Sequence, residues 1–186
     1  MALVAGIMMA SFLIFFGIFL LIAILYLLNL QKTLKAAAPE NRKLPPANVW
    51  LLLIPIFNIF YMFIVAKRMT ETIVAEYASK GQALENPKPT YSVGMGMAIL
   101  GVVSMIFSFI QLPSTIASYS NMSTGNLEEL TMQAEASSGP LSNLSSLISL
   151  VAFVLWIVYW VQTAGYKNKM RNLPNNKVES DIFGGI

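Results

Sequence analysis

Trp50, Pro55 and Asn58 stand within a single apolar block, Ala47–Ala66, and Arg42, Lys43, Lys67 and Arg68 stand at its two ends. Proline removes one backbone hydrogen bond from a helix, and a nearby asparagine can bond the groups that are freed. A helix broken in this way inside a bilayer exposes backbone dipoles able to hold a lipid headgroup or a small solute. The four cations are placed to meet anionic headgroups. The same residues also read as a kinked helix with interfacial anchors, an arrangement that requires no ligand.

Other chemistry is hard to assemble from this chain. It has no cysteine and no histidine, so thiolate metal sites and the commonest general base and metal ligand are absent. Glu40 with Arg42, and Glu71 with Lys67, have the spacing of ordinary surface ion pairs. Asn58 and Gln111 are taken as the strongly polar side chains within the apolar blocks, and no ionisable residue lies inside one, which argues against ion-coupled transport. The expectation is a protein that is not an enzyme, with no catalytic residue, no cofactor and no metal.

The elements that would position these residues are set by composition. Hydrophobic residues make up 56% of the 186 and charged residues 11%, which lies outside the soluble globular range. All twelve lysines and arginines fall in the stretches 32–43, 67–88 and 167–177. A net charge of +3 confined to loops beside apolar blocks suits anionic headgroups and gives no reason to expect nucleic acid.

Apolar blocks and turn residues divide the chain into a single membrane domain. A first helix is expected over 3–38, stopped by Pro39 and too long for a cleaved signal peptide. Then come the Pro-kinked segment 47–66 and a cytoplasmic amphipathic helix over 67–80. In the latter, Met69, Ile73, Val74 and Tyr77 share a face, Glu76 and Lys80 lie on the polar side, and Gly81 ends the run. Helices over 91–112 and 141–166 flank an acidic outer loop, 116–140, and a loose tail covers 173–186. Gly94, Ala98, Gly101, Ser104 and Ser108 form one small-residue line, and Ser142, Ser145, Ser149 and Ala152 form another. Small residues let helix backbones approach closely in lipid, so these two faces are expected to pack together. Trp156, Tyr159, Trp160 and Tyr166 read as an aromatic belt ahead of Lys167, Lys169 and Arg171.

The fold class is therefore an all-α integral membrane protein with four apolar helical segments, of which three span and the second either spans or re-enters. If the second re-enters, all twelve basic residues lie on the cytoplasmic side, with the C-terminus inside and the 118–140 loop outside. If it spans, Lys32, Lys35, Arg42 and Lys43 lie outside. The charge rule and Pro55 favour re-entry, while the hydrophobicity of Val49–Val65 favours a full span.

The stretch Pro39-Glu40-Asn41-Arg42-Lys43-Leu44-Pro45-Pro46, followed by Val49-Trp50-Leu51-Leu52-Leu53-Ile54-Pro55-Ile56-Phe57-Asn58, resembles a signature of small uncharacterised bacterial multi-pass membrane proteins. That resemblance implies a bacterial cytoplasmic (inner) membrane and a topology class, and it brings no activity with it. The functional expectation is a non-catalytic membrane scaffold or accessory subunit, with a membrane-protein partner or a homo-oligomer as its assembly. The alternative is a small oligomeric transporter or channel component using the segment around Pro55 and Asn58.

Overall fold

The computed structural model describes residues 2–124 and 140–174. Most of the expected outer loop and of the C-terminal tail lies outside the described residues. Every regular element among the described residues is helical: α1 (Ala2–Ala36), α2 (Pro55–Ser79), α3 (Tyr91–Thr124) and α4 (Pro140–Arg171). Short 3-10 stretches at Pro39–Asn41 and Pro46–Leu53 join α1 to α2.

Three segments are long and apolar enough to cross a bilayer: Met9–Ala36 in α1, Tyr91–Pro113 in α3 and Ser142–Arg171 in α4. Each exceeds the roughly 20 residues a span requires. The helices overrun the expected boundaries because nothing stops them where hydrophobicity ends. α3 continues through Pro113 to Thr124, and α4 continues past Tyr166 to Arg171.

The second apolar block is not a kinked helix. Its first half is the 3-10 helix Pro46–Leu53, and Ile54 is extended (φ −82°, ψ 110°). Pro55 opens α2 instead of interrupting a helix, a position where its missing N–H costs nothing. Both flanks of the block return to the same end of the molecule, where the Lys43 N–H donates to Thr72 Oγ1 at 3.0 Å. The chain thus reverses direction at Ile54–Pro55.

The amphipathic stretch 67–80 is not a separate surface helix. It is the second half of α2, continuous with the apolar half that precedes it. Nor does it lie flat on a surface: Met69 and Ile73 are fully buried, Tyr77 nearly so, and Glu76 is 1% exposed. Together with Leu30 and Leu34 of α1 and Met170 of α4 they form the core of a compact base. Gly81, at φ 67°, ends the helix as expected, with the Gln82 N–H returning to the Tyr77 carbonyl at 3.0 Å.

α4 packs against α1 and α3, and α2 packs against α3. Every described residue from Met9 to Ile22 is exposed, so the N-terminal half of α1 is only lightly covered by the rest of the chain.

Candidate functional site

The basic loop after α1 is locked to α2 by one carboxylate. Glu76 Oε2 accepts from the Ala38 N–H and from Asn41 Nδ2, both at 2.8 Å, and Oε1 pairs with Lys80 Nζ at 3.0 Å. Burial by itself pushes this carboxyl upward. The Asn41 and Ala38 hydrogen bonds and the neighbouring Lys80 outweigh it and hold the group below its ordinary range. Lys80 also donates to the Met170 carbonyl at 3.3 Å, so the end of α4 joins the same network. Asn41 reaches Ser79 Oγ as well, at 2.7 Å.

Arg42 occupies the C-terminus of α1. Its guanidinium donates to the carbonyls of Ala37 at 3.0 Å and Lys35 at 3.2 Å, which have no helical partner of their own. The spacing-based pair of Glu40 with Arg42 does not form, and Glu71 takes Arg68 at 2.9 Å in place of Lys67. Asn41 and Arg42 of the loop thus form a clasp. Arg42 is engaged with backbone, whereas Lys43, Lys67 and Arg68 keep exposed head groups on the base.

A second polar cluster ties α1 to α4, and the sequence reading passed over it. Asn29, within the first apolar block, donates through Nδ2 to Thr163 Oγ1 at 2.9 Å and to the Trp160 carbonyl at 3.3 Å. Lys167 Nζ donates to Asn29 Oδ1 at 3.4 Å, and Thr33 Oγ1 reaches the Thr163 carbonyl at 3.2 Å. Asn29 and Thr33 are four apart on α1, and Thr163 and Lys167 are four apart on α4. That shared period is the signal by which the pair of faces is recognisable. Asn29→Leu leaves Lys167 and Thr163 without this partner, and we expect a loss of about 1–2 kcal/mol, read as a lower melting temperature in detergent.

The small-residue faces are used in part. Gly94 and Ala98 are buried, and a Cβ on Gly94 would lie 2.7 Å from Tyr159 Cε2 and 2.8 Å from Ala66 Cβ. Gly101 is exposed with nothing near it, and Ser108, also exposed, bonds back to the Ser104 carbonyl at 2.9 Å. On α4, Ser142, Ser145 and Ala152 are half-buried and Ser149 is exposed. Close approach is therefore concentrated at the base end of α3, against α2 as well as α4. The expected aromatic belt is likewise split. Tyr159 is fully buried under Gly94, while Trp156 and Trp160 pack on Tyr26 with ring centroids 5.3 and 5.7 Å apart.

At the entry to α3, Thr90 adopts φ 63°, a left-handed conformation that costs a β-branched residue of order 1–3 kcal/mol. It is held there by Thr70, whose Oγ1 lies 3.2 Å from the Thr90 hydroxyl and donates to the Pro89 carbonyl at 2.8 Å.

Pro55 and Asn58 line a groove of about 580 Å³. Its walls are Phe19, Ile22, Ala23, Tyr26 and Leu27 of α1, Leu52 and Leu53 of the 3-10 helix, and Phe153 and Trp156 of α4. Trp50 is half-buried and packs against the core without lining this space. Asn58 does not repair the break at Ile54 with its side chain. Its backbone N–H donates to the Ile54 carbonyl at 2.8 Å, and its carboxamide is exposed in the groove. The sequence-predicted residues thus separate into a clasp (Arg42), exposed cations (Lys43, Lys67, Arg68), a core contact (Trp50) and a groove (Pro55, Asn58). Among the described residues no group of three or more histidine, cysteine or acidic side chains is gathered as metal ligands would be.

Compared with protein families, curated proteins and solved structures, the chain matches none, and function is read from the geometry.

Proposed function

We propose that this chain is a multi-pass membrane scaffold or accessory subunit, anchored by its basic base and offering α1 to a partner within the bilayer. The observation that carries this reading is the exposure of every described residue from Met9 to Ile22. A helix half left this exposed by its own chain gains van der Waals packing by meeting another helix, and in lipid that packing is the main force for association. The base supplies what a scaffold needs, a rigid platform that fixes where α1 emerges. Photo-crosslinking from Phe12 or Phe16 in intact membranes is expected to give one adduct of discrete mass. Recovery of monomer alone, across several detergents and without adducts, counts against the reading.

We also place the base on the cytoplasmic face of a bacterial inner membrane, with the C-terminus inside and the 118–140 loop outside. The exposed cations Lys32, Lys35, Lys43, Lys67, Lys88, Lys169 and Arg171 share the base, which is the side the positive-inside rule assigns to the cytoplasm. The chain has no native cysteine, so introduced ones report orientation cleanly. Ala37 is buried and makes a poor probe, whereas Glu40, Ser79 and Asn172 are exposed or at the chain surface. Cysteines at Glu40, Ser79 and Asn172 are expected to resist an impermeant reagent in intact cells, and one at Ser137 to react. Labelling of the Glu40 site from outside overturns the arrangement.

A further inference from the structure

The groove at the chain reversal is apolar except for the Asn58 carboxamide. The exposed Asn58 carboxamide has no hydrogen-bond partner among the described residues. The N–H groups of Ile56 and Phe57, in the first turn of the same helix, have no backbone acceptor. Tyr26 is 6% exposed and lines the groove, its ring packed on Trp156 with centroids 5.3 Å apart. The Asn58 carboxamide thus offers an unmet donor to an acceptor oxygen.

Depth and charge narrow the class. Asn58 precedes Arg68 by ten residues, about 15 Å along α2, and Arg68 is on the basic base. Phospholipid headgroups and their ester carbonyls stay in the interfacial layer that the base marks, so they do not reach this level. No charged side chain lines the groove, so nothing there would neutralise a carboxylate or phosphate. A carbonyl carried this deep belongs to an uncharged lipid. Phe19, Tyr26, Phe153 and Trp156 provide flat walls for a planar ring, and about 580 Å³ is an ordinary size for a ligand pocket.

We propose that this groove binds the ring of a membrane quinone, with Asn58 donating to a ring carbonyl and the isoprenoid tail leaving toward lipid. The assignment is one of binding; it stands apart from the scaffold reading and rests on the placement of the basic base at the membrane interface. The test is titration of a short-tailed benzoquinone into the full chain in nanodiscs, followed by quenching of tryptophan fluorescence, since Trp156 is in the groove wall. Saturable quenching is expected. Asn58→Leu, an exposed position whose change leaves the melting temperature intact, is expected to weaken it about tenfold. Ala23→Phe, which fills the groove, is expected to abolish the saturable component. Quenching that stays linear with quinone, or that is identical in Asn58→Leu, overturns the proposal. So does native mass spectrometry that finds a phospholipid retained against excess quinone, or crosslinking that shows a second copy of the chain seated in the groove.

Discussion

Replacing Glu76 with leucine is expected to loosen the whole base, lowering stability by about 3–5 kcal/mol and the melting temperature by about 10 °C. The size follows from what the carboxylate holds. Glu76 is 1% exposed and satisfies the Ala38 N–H, the Asn41 amide and the Lys80 ammonium together. Removing it strands the Ala38 N–H and takes a partner each from Asn41 and Lys80, and an unmet buried donor costs more than a typical bond contributes. Glu76→Gln keeps the shape and one acceptor oxygen, so its loss is expected to be smaller. The pH dependence gives a second signature. The folded carboxyl titrates below its unfolded value, so its contribution is complete above the ordinary glutamate range. That contribution is lost as pH falls through the lowered folded value. Melting curves in detergent are expected to show the native chain losing stability on acidification while Glu76→Leu stays low and flat over the same interval. A Glu76→Leu chain as stable as the native one would remove the clasp from this account.

Gly94 is the second position with a large expected effect. A Cβ there meets Tyr159 Cε2 at 2.7 Å and Ala66 Cβ at 2.8 Å, closer than real Cβ contacts come. Neither neighbour is a loose chain end. Tyr159 is fully buried, and Ala66 is fully buried on α2. Gly94→Ala is therefore expected to cost about 1–3 kcal/mol in spite of alanine's better helix propensity, and Gly94→Leu to prevent stable folding. Gly101→Ala is the matched control: nothing lies within 4 Å of its Cβ position, and its expected effect is neutral to about 1 kcal/mol stabilising. Equal effects at the two glycines would mean that helix propensity, and not close approach, governs α3. The measurement is the same melting experiment on purified chains.

The contrast between these glycines shows where sequence patterning stops. Gly94 and Gly101 lie on one small-residue line and look equivalent by spacing, yet only the first is pressed between α2 and α4. The line has a close neighbour at its lower end and an exposed glycine further up. Asn29 makes the complementary point. It lay within an apolar block and was outranked by Asn58, although it is Asn29 that joins two helices.

The sequence by itself determined the solvent of this protein and the number of its clear spans. Long runs without charge can lower their free energy only in hydrocarbon, and bilayer thickness fixes how many residues each crossing takes. It also marked Pro55 as the place where the second block fails to continue, because a proline lacks the N–H that helix propagation requires. Tertiary structure alone decided the rest. That the block reverses depends on Lys43 meeting Thr72, and that Glu76 is buried depends on Asn41 and Ala38 folding over it. Both are contacts between residues roughly thirty or more positions apart. A periodicity of 3.6 residues shows which side of one helix is apolar; it cannot show that a charged residue on the other side will find two partners on a distant loop.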